Sequence, residues 1–255
     1  MGDEATPLAL VVGGASGIGA AVATAHRSAG TPVVVWDVGG ERDVSCDVAD
    51  PGAIDAAVAE TRRRWGVPHW VTVTAGIGHS GMLADAGADE FDRVMAVNAR
   101  GPWLCMRAWL RSRRDAVPAS FVATSSISAR VVDRSMGLYC ASKAALSMLV
   151  RVAALEWGPV GIRVNAVAPG VTRTPMLGRG PAAGVAGSPW LAEVAERTAL
   201  GRLGEASDIA GVVLGLHAMA WVTGQVLECD GGLALHSPID ADGEMTRGAG
   251  RTPGR

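Results

Sequence analysis

The sequence has too few cysteines, at the wrong spacing, for a disulfide-rich or zinc-binding protein. Cys46, Cys105, Cys140 and Cys229 lie far apart in the chain and form no CxxC pair. Structural zinc sites and small secreted scaffolds need cysteines in short, paired motifs. We therefore expect reduced thiols in a cytoplasmic protein, and no metal site.

The chain also lacks an excess of positive charge. Its 255 residues carry a formal net charge of −2. Two arginine-rich runs, at 62–64 and 111–114, lie near predicted helix ends, where arginine complements the helix dipole. Nucleic-acid binding usually needs a basic patch with interleaved aromatic side chains, which the sequence does not contain. Nucleic acid is therefore not an expected partner.

No signal peptide or membrane span is predicted. Residues 5–25 carry no charge, but Asp3 and Glu4 precede them where a signal peptide has basic residues. Four glycines interrupt the apolar run, so it is too broken to span a membrane. We interpret this stretch as a strand, a turn and a buried helix, and we expect no membrane association.

Lysine and tyrosine each occur once, and the two residues stand four positions apart. Apolar residues recur around Tyr139 and Lys143 at helical spacing, which predicts a helix of about five turns with the ammonium beside the phenol. A neighbouring cation lowers the pKa of a phenol from its ordinary value of about 10, which suits a general acid and base at neutral pH. The alternative is a surface tyrosine and lysine on an amphipathic helix.

A glycine-rich turn follows the first apolar strand, Leu8 to Val12. The sequence Gly-Gly-Ala-Ser-Gly-Ile-Gly over residues 13–19 leads into an alanine-rich helix that extends to about Ala29. Such a turn presents free N–H groups and the positive end of a helix dipole to a phosphate. Glycine-rich turns between strands and helices are common, so this motif alone does not identify a cofactor site.

Asp37 ends the second predicted strand, Pro32 to Trp36, and stands twenty residues after Gly17. A dinucleotide-binding fold places there the carboxylate that receives the adenosine ribose hydroxyls. Because this carboxylate repels a 2′-phosphate, NAD is favoured over NADP, and the nearest cation, Arg42, lies beyond two glycines. The alternative is an aspartate that caps a turn.

Strands and helices alternate over most of the chain, which predicts an α/β fold with a doubly wound, Rossmann-like parallel sheet in a single domain. The domain is expected to span residues 1–236, with a substrate lid at about 175–200 and a disordered tail at 237–255. A disordered insertion without a role is the alternative for the lid. The further strands are predicted at 44–48, 70–74, 119–124, 163–167 and 225–229, and the further helices at 51–65, 88–113, 190–200 and 208–217.

A long helical pattern from Ala88 to about Arg113 is interrupted by Gly101 and Pro102. Proline has no N–H, so Pro102 cannot bond to the carbonyl of Asn98, four residues earlier. The freed carbonyl can hold a water molecule or another donor. The alternative is a simple kink.

Ser125 and Ser126 follow the strand at 119–124. Serines at the carboxyl end of a central strand lie at the crevice where open α/β sheets bind ligands. They could equally cap a turn.

Together these motifs resemble the short-chain dehydrogenase/reductase family, over about residues 8–235 and in the family's order. The residues that carry the resemblance are Gly13, Gly17, Gly19, Asp37, Asp47, Val48, Ala75, Gly76, Asn98, Ser126, Tyr139, Lys143, Pro169, Gly170 and the Asp230-Gly231-Gly232 turn. The resemblance implies an oxidoreductase that uses a nicotinamide cofactor.

The resemblance also implies roles for individual residues. Tyr139 is implied to be the general acid and base, Lys143 to lower its pKa and bind the nicotinamide ribose, and Ser126 to hold the substrate oxygen. Asn98 is implied to hold a water molecule that relays protons to Lys143. The implied cofactor contacts are Gly13, Ser16, Gly17, Ile18, Gly19, Asp37, Asp47, Val48, Ala75, Gly76, Tyr139, Lys143, Pro169, Gly170, Thr172 and Thr174.

Three positions depart from the family pattern. Val12 replaces a threonine, so a side-chain hydrogen bond is lost. The usual Asn-Asn-Ala-Gly run is Val73-Thr74-Ala75-Gly76, which removes an amide that ties two strands together. The connection from His217 to Thr223 is slightly short, which is expected to alter subunit packing.

The expected activity is hydride transfer between NAD(H) and a secondary alcohol or ketone. The expected substrate contacts are Ser126, Ile127, Arg130, Tyr139 and Trp190. Arg130 either meets a substrate carboxylate, pairs with Asp133 or faces solvent. One alternative is a 3-oxoacyl thioester reductase that uses NADPH, against which Asp37 argues. Another is a dinucleotide-binding scaffold or sensor without turnover, against which the intact catalytic set argues.

The two helices that contain Trp103 and Met148 have more apolar surface than one sheet face needs. The excess predicts a symmetric oligomer, and the family resemblance implies a homotetramer.

Overall fold

The computed structural model describes residues 7–113, 118–178 and 189–235. Its strands are β1 (Ala9–Val12), β2 (Val33–Asp37), β3 (Val44–Ser45), β4 (Trp70–Val73), β5 (Ala119–Thr124), β6 (Ile162–Pro169), β7 (Thr172–Arg173), β8 (Gly204–Glu205) and β9 (Val226–Cys229). Seven of them form a parallel sheet in the order β3-β2-β1-β4-β5-β6-β9. The short strands β7 and β8 pair separately.

Helices cover both faces of the sheet. They are α1 (Gly17–Ser28), α2 (Pro51–Trp65), α3 (Ala88–Met95), α4 (Gly101–Ser112), α5 (Gly137–Trp157), α6 (Pro189–Arg197) and α7 (Ala206–Ala218). On one face α1 packs against α7, where Val22 and Ile209 meet Val11 of β1. On the other face α2, α4 and α5 enclose the core that contains Val12. Successive strand residues point to opposite faces, so Val11 and Val12 belong to different cores.

The strand order reverses between β1 and β4, which lie side by side. Open sheets of this kind bind ligands outside the carboxyl ends of the strands, at such a switch point. The segments that follow β1 and β4 are the glycine turn at 13–19 and the pair Ala75 and Gly76. The predicted doubly wound sheet is therefore confirmed, and it places these two segments together.

Most predicted elements are confirmed to within a few residues. Helix α2 begins at the predicted Pro51, and Asp50 caps it by accepting the N–H of Gly52 at 2.8 Å. The third strand was predicted to reach residue 48 but ends at Ser45. Strands β7 and β8 were not predicted, because two residues are too few to show an alternating pattern.

The predicted interruption of the long helix is a π-helical turn, Ala96–Arg100, between α3 and α4. The N–H of Gly101 bonds to the carbonyl of Ala96, five residues earlier. Turns of this kind are rare and often occur at functional sites. The glycine also lets α4 approach the segment after β3, since a Cβ at Gly101 would lie 2.9 Å from the carbonyl oxygen of Val48.

Thr74 connects the ends of β1 and β4. Its hydroxyl lies 3.0 Å from the carbonyl oxygens of Val12 and Gly13 and donates to them. The family's asparagine amide is absent, as the sequence predicts, and in this chain a threonine hydroxyl connects the two strand ends.

One helical segment of the described chain, Gly137–Val160, is long and apolar enough to span a membrane by composition alone, with a mean hydropathy of 1.4. It consists of α5 and the short 3-10 turn after it. Leu146 and Val150 of α5 are buried in the core, and the helix packs against β6. This is the packing of a core helix in a globular domain.

Two predicted segments extend beyond the described residues. The lid predicted at 175–200 includes residues 179–188, and the tail predicted at 237–255 lies wholly outside. Within the described part of the lid range, a 3-10 turn covers Pro175–Gly178 and α6 begins at Pro189.

Candidate active site

Tyr139 and Lys143 lie one turn apart near the N-terminus of α5. The Lys143 ammonium lies 5.7 Å from the centre of the Tyr139 ring, so the predicted proximity of the two side chains is confirmed. Lys143 is buried, and its Nζ donates to the carbonyl of Thr124, the last residue of β5, at 2.8 Å. The helix therefore presents both side chains to the carboxyl end of β5.

The protonation properties of this pair differ from the expectation. Burial lowers the pKa of Lys143 from 10.5 to about 8. Burial raises the pKa of the Tyr139 phenol, and a hydrogen bond with Ser126 acts in the opposite direction. Within the described residues, the protein's own groups do not lower the phenol pKa as predicted from the sequence, because desolvation of the phenolate dominates.

Ser126 follows β5 and begins the 3-10 turn Ile127–Ala129. Its hydroxyl bonds with Tyr139 and also accepts the N–H of Ser128 at 3.1 Å. The structure therefore brings Ser126, Tyr139 and Lys143 together at one strand end.

Asn98 lies in the π turn and is fully buried. Its amide oxygen accepts the N–H of Ile77 at 2.8 Å. Its amide nitrogen donates to the carbonyl of Ile77 at 2.9 Å and to Ser142 Oγ at 3.1 Å. Ser142 in turn donates to the carbonyl of Tyr139 at 2.7 Å. Asn98 thus joins the segment after β4 to the turn of α5 that carries Tyr139.

Gly76 keeps open the space between Asn98 and Lys143. A Cβ at this position would lie 3.3 Å from Asn98 Oδ1 and 3.5 Å from Lys143 Nζ. The amide and the ammonium therefore face the same narrow space, at the sheet's switch point.

The N-terminus of α1 fits a phosphate group. Its first turn contains no acidic residue, and Ser16 at the N-cap position makes no capping bond with its side chain. By contrast, α2 and α7 have Asp50 and Asp208 at their N-termini. An uncapped N-terminus leaves N–H groups and the positive end of the helix dipole for an anion. The residues present at this turn therefore fit the pyrophosphate of a dinucleotide.

Close backbone packing requires two glycines of the turn. A Cβ at Gly19 would lie 2.0 Å from the carbonyl oxygen of Gly13 and 2.5 Å from Thr74 Oγ1. Gly13 has a φ of 80°, and a Cβ there would lie 2.6 Å from the nitrogen of Ala75. The turn is thereby held against the segment that follows β4.

Asp37 lies at the end of β2, beside the glycine turn. One carboxylate oxygen accepts the N–H of Ala15 at 3.0 Å, and the other accepts those of Val38 and Gly39 at 2.7 and 3.2 Å. The side chain therefore caps the following turn, as the alternative interpretation of the sequence predicts, and the binding of ribose hydroxyls stays a prediction. Arg42 is exposed and donates to the carbonyl of Gly40 at 3.0 Å.

Asp47 and Val48 follow β3, whose Ser45 pairs with Asp37 of β2. Asp47 is exposed and accepts the N–H of Ala49 at 2.8 Å. Val48 is buried beside Gly101 of α4. These positions lie at the edge of the sheet where the adenine end of a dinucleotide is expected.

The segment after β6 approaches the glycine turn from the other side. The N–H of Gly170, which follows Pro169, bonds to the carbonyl of Cys229 at 3.1 Å. Thr172 donates to the carbonyl of Gly170 at 3.0 Å. A Cβ at Gly17 would lie 3.4 Å from the Cβ of Thr174. Both threonines therefore lie near the crevice.

Arg130 is paired with Glu228 of β9. Its Nε lies 2.5 Å and its Nη2 2.8 Å from the two carboxylate oxygens. The predicted pairing with Asp133 is wrong, because Asp133 instead accepts a hydrogen bond from Ser128 Oγ at 3.0 Å. A substrate carboxylate at Arg130 would have to displace Glu228.

The other expected substrate contacts lie at different depths. Ile127 is buried directly after Ser126. Trp190 is 44% exposed in the first turn of α6.

Two serines that hold α5 in place, Ser142 and Ser147, were not identified from the sequence, and the contact of Ser125 with α5 was not predicted. Ser142 connects Asn98 to Tyr139, while Ser125 and Ser147 bond to each other at 2.7 Å beside Lys143. Ser142 stands three positions after Tyr139, and Ser147 four after Lys143, which are the spacings at which helical side chains meet. That spacing was the available signal for these two residues.

The comparisons with known proteins agree with this site. The chain matches the family model described as enoyl-(acyl carrier protein) reductase over residues 13–234. It is 32% identical over 240 residues to a 3-alpha-(or 20-beta)-hydroxysteroid dehydrogenase of Mycobacterium bovis, covering 88% of each chain. The structure of an aldohexose dehydrogenase of Thermoplasma acidophilum matches with a TM-score of 0.86 at 26% identity, covering 92% of this chain and 96% of that one.

A further solved structure is that of a short-chain type dehydrogenase/reductase of Mycobacterium marinum. It matches with a TM-score of 0.82 at 28% identity and covers 90% of this chain and 96% of that one. The family model and the relatives cover nearly the whole described chain, including the glycine turn and α5. The chain therefore belongs to the short-chain dehydrogenase/reductase family, whose members are oxidoreductases that bind a nicotinamide dinucleotide.

Proposed function

We propose that this protein is an NAD(H)-dependent oxidoreductase that interconverts a secondary alcohol and a ketone, with Tyr139 as general acid and base. The observation that carries the proposal is the convergence of Ser126, Tyr139 and Lys143 at the carboxyl end of β5. Relatives named for a hydroxysteroid and an aldohexose are consistent with a substrate that carries a hydroxyl group.

In the proposed reaction, the hydroxyls of Ser126 and Tyr139 hold the substrate oxygen. The Tyr139 oxygen takes the hydroxyl proton during alcohol oxidation and returns a proton to the oxygen during ketone reduction. A bound nicotinamide dinucleotide accepts or supplies the hydride and, when oxidised, adds positive charge to the site.

Lys143 has two tasks in this proposal. Because burial raises the pKa of Tyr139, the phenolate needs nearby positive charge, which the Lys143 ammonium supplies. The same ammonium is a donor for a ribose hydroxyl. Asn98 is proposed to hold, through the carbonyl that Pro102 leaves free, a water molecule that passes protons to Lys143.

The preference for NAD over NADP is proposed from Asp37. Its carboxylate stands at the end of β2 beside the glycine turn, where a 2′-phosphate would meet a like charge. Such contacts cost up to several kcal/mol. Arg42 bonds to the backbone of Gly40 and does not pair with this carboxylate.

An acyl thioester reductase is the second candidate. The observation that favours it is the description of the matching family model as an enoyl-(acyl carrier protein) reductase. Asp37 argues against the NADPH that the 3-oxoacyl reaction usually uses. A scaffold or sensor without turnover is a third candidate, which the assembled catalytic residues disfavour.

The test is a substrate screen with both cofactors. Secondary alcohols, including hydroxysteroids and aldohexoses, are offered with NAD⁺ or NADP⁺, and 3-oxoacyl and enoyl thioesters with NADH or NADPH. We expect alcohol oxidation with kcat/KM at least about 10-fold higher for NAD⁺, which corresponds to about 1.4 kcal/mol. Thioester reduction with a preference for NADPH would overturn the proposal. Tight NADH binding without any turnover would favour the sensor.

A homotetramer is also proposed. The face formed by α4 and α5 exposes Trp103, Met148, Val152 and Leu155, and covering this face in a symmetric assembly would remove their side chains from water.

A further inference from the structure

Three consecutive residues at the end of β5 bond to α5. The carbonyl of Thr124 accepts the Lys143 ammonium at 2.8 Å, and the hydroxyl of Ser126 bonds with Tyr139. Between them, Ser125 Oγ lies 2.7 Å from Ser147 Oγ. The strand end is therefore attached to the helix at both catalytic side chains and at one residue whose role is not yet explained.

The two serines bond to the backbone of Lys143. Ser147 Oγ lies 2.9 Å and Ser125 Oγ 3.3 Å from the Lys143 carbonyl oxygen. The three contacts involve two hydroxyls, and each hydroxyl has one proton. The two serine oxygens are only 2.7 Å apart, so one of these protons must lie between them, and only the other proton can be donated to the Lys143 carbonyl. The shorter distance indicates that Ser125 donates to Ser147 and Ser147 donates to Lys143. Lys143 is thus held at its ammonium and at its carbonyl.

The serine pair is buried and fixed to the sheet. Ser125 and Ser147 are 2% and 5% exposed. The N–H of Ser125 bonds to the carbonyl of Val167 in β6 at 2.7 Å. Since water cannot replace a lost partner at this depth, the pair fixes the rotation of α5 relative to β5.

We propose that Ser125 and Ser147 are positioning residues that set the placement of Lys143 and Tyr139 relative to Ser126. The proposal rests on the function proposed above. It follows from the hydroxyl chain that links the sheet to the Lys143 backbone. Small displacements of catalytic groups cost large factors in rate, of the order of 100-fold for about 1 Å, so a partial loosening is expected to be measurable.

The composition of the chain offers a direct test. Lys143 is the only lysine and Tyr139 the only tyrosine, so ¹³C labels in lysine and tyrosine each give one signal, which can be titrated without assignment. Ser125→Ala and Ser147→Ala are compared with Ser120→Ala. Ser120 is a buried serine of the same strand whose hydroxyl has no hydrogen-bond partner within the described residues. Ser147→Thr retains a hydroxyl that can reach the carbonyl four residues earlier.

We expect the Lys143 pKa to fall by about half a unit or more in both alanine variants, because the ammonium loses its fixed contact with the Thr124 carbonyl. The Tyr139 pKa is expected to rise as the ammonium moves away. Neither signal should shift in Ser120→Ala, and Ser147→Thr should restore the wild-type titration.

Kinetic measurements distinguish serines that position Lys143 and Tyr139 from serines that only contribute to packing. We expect kcat to fall about 10-fold, with the substrate KM and the NADH Kd within about twofold, and the kcat pH profile to shift with the Tyr139 titration. The double variant should be no slower than Ser147→Ala, because both hydroxyls act through one chain of bonds.

The results of these measurements distinguish a failure of the positioning proposal from a failure of the proposed function. Unchanged titrations and unchanged kcat in folded alanine variants would overturn the proposal and leave the serines a purely structural role. An equal effect in Ser120→Ala would also overturn it. If the wild type turns over no alcohol or ketone, the proposed function fails, and the lysine and tyrosine titrations still decide whether the serines position these side chains.

Discussion

Tyr139 combines a raised pKa with a position beside a buried ammonium. Tyr139→Phe removes the hydroxyl and keeps the ring, so we expect turnover to fall by a factor of about 100 to 10,000, the usual contribution of a general acid and base. The affinity for NADH should stay within about twofold, since the glycine turn and Lys143 remain. Steady-state kinetics and a fluorescence titration of NADH measure the two quantities. Near-normal turnover in this variant would exclude Tyr139 as the proton carrier.

Asp37 is expected to decide the cofactor preference. Asp37→Asn removes the charge while an oxygen remains to accept the N–H of Ala15. The ratio of kcat/KM for NADPH to that for NADH should rise by about 10- to 100-fold, because a like-charge contact with the 2′-phosphate is removed. Asp47→Asn is the matched control, since it changes the same charge at a neighbouring strand end. An equal change of the ratio in both variants would contradict a specific role for Asp37.

Alanine substitution is expected to have opposite effects on stability at Gly19 of α1 and at Gly211 of α7. A methyl at Gly19 would lie 2.0 Å from a backbone oxygen, so Gly19→Ala should displace α1, cost about 2 kcal/mol or more of stability and weaken NADH binding. Gly211 of α7 is exposed, and a methyl group there would meet no atom of another described element within 4 Å. Gly211→Ala should therefore gain about 0.5–1 kcal/mol. Urea unfolding measures both; the same sign for both variants would contradict the argument.

The interface between α1 and α7 contains buried histidines. The ring of His26 lies 5.6 Å from that of Trp70 and 5.7 Å from that of His217. Burial lowers the pKa of His26 from 6.5 to about 4 and that of His217 well below 6.5. Arg163, which donates to the carbonyl of His217 at 2.7 Å, disfavours further positive charge there.

These shifts predict acid sensitivity of the fold. Below pH 6.5 the unfolded chain protonates His26 and His217 while the folded protein keeps them neutral, so the unfolded state binds more protons. Stability should therefore fall between about pH 6.5 and 4, by up to about 1.4 kcal/mol per pH unit for each histidine. His26→Phe loses no hydrogen bond within the described residues. The variant should therefore show a pH dependence of stability that is smaller by up to about 1.4 kcal/mol per pH unit over this range. Urea unfolding at several pH values tests this, and an unchanged slope in the variant would contradict it.

Element types and most boundaries could be predicted, because buried parallel strands and amphipathic helices have distinct apolar patterns. The positions of the candidate site residues could also be predicted, since Tyr139 and Lys143 are joined by helical spacing and Ser126 follows a strand. Contacts between residues distant in sequence could not be predicted. Arg130 finds Glu228 rather than the nearby Asp133 because strand order, and not sequence distance, decides which side chains meet.

The phenol pKa shows a second limit of the sequence. Proximity of Lys143 could be predicted from spacing, whereas the depth of burial that raises the Tyr139 pKa depends on the whole fold. Desolvation and a nearby charge act in opposite directions, and only the packed structure tells which dominates.

The folded single chain exposes two separate apolar surfaces to solvent. The first, on α4 and α5, surrounds a depression of about 490 Å³ lined by Trp103, Met148 and Val152, among others. The second lies near the edge strand β9, where Trp221 is fully exposed and Met219 half exposed. A tetramer with dihedral symmetry uses two different self-complementary interfaces. Two distinct surfaces of this kind are what such an assembly requires, whereas a dimer would use only one.

Charge placed on either surface should therefore divide the tetramer in half. We expect the wild type to be a tetramer, Met148→Glu and Trp221→Glu each to be dimers, and the double variant to be a monomer, because a buried unpaired carboxylate is costly. Val38→Glu is the control, since Val38 is exposed beside β2, far across the sheet from β9. Size-exclusion chromatography with light scattering measures the masses. A monomeric wild type would refute the assembly, and a tetrameric Met148→Glu would show that the surface on α4 and α5 is not an interface.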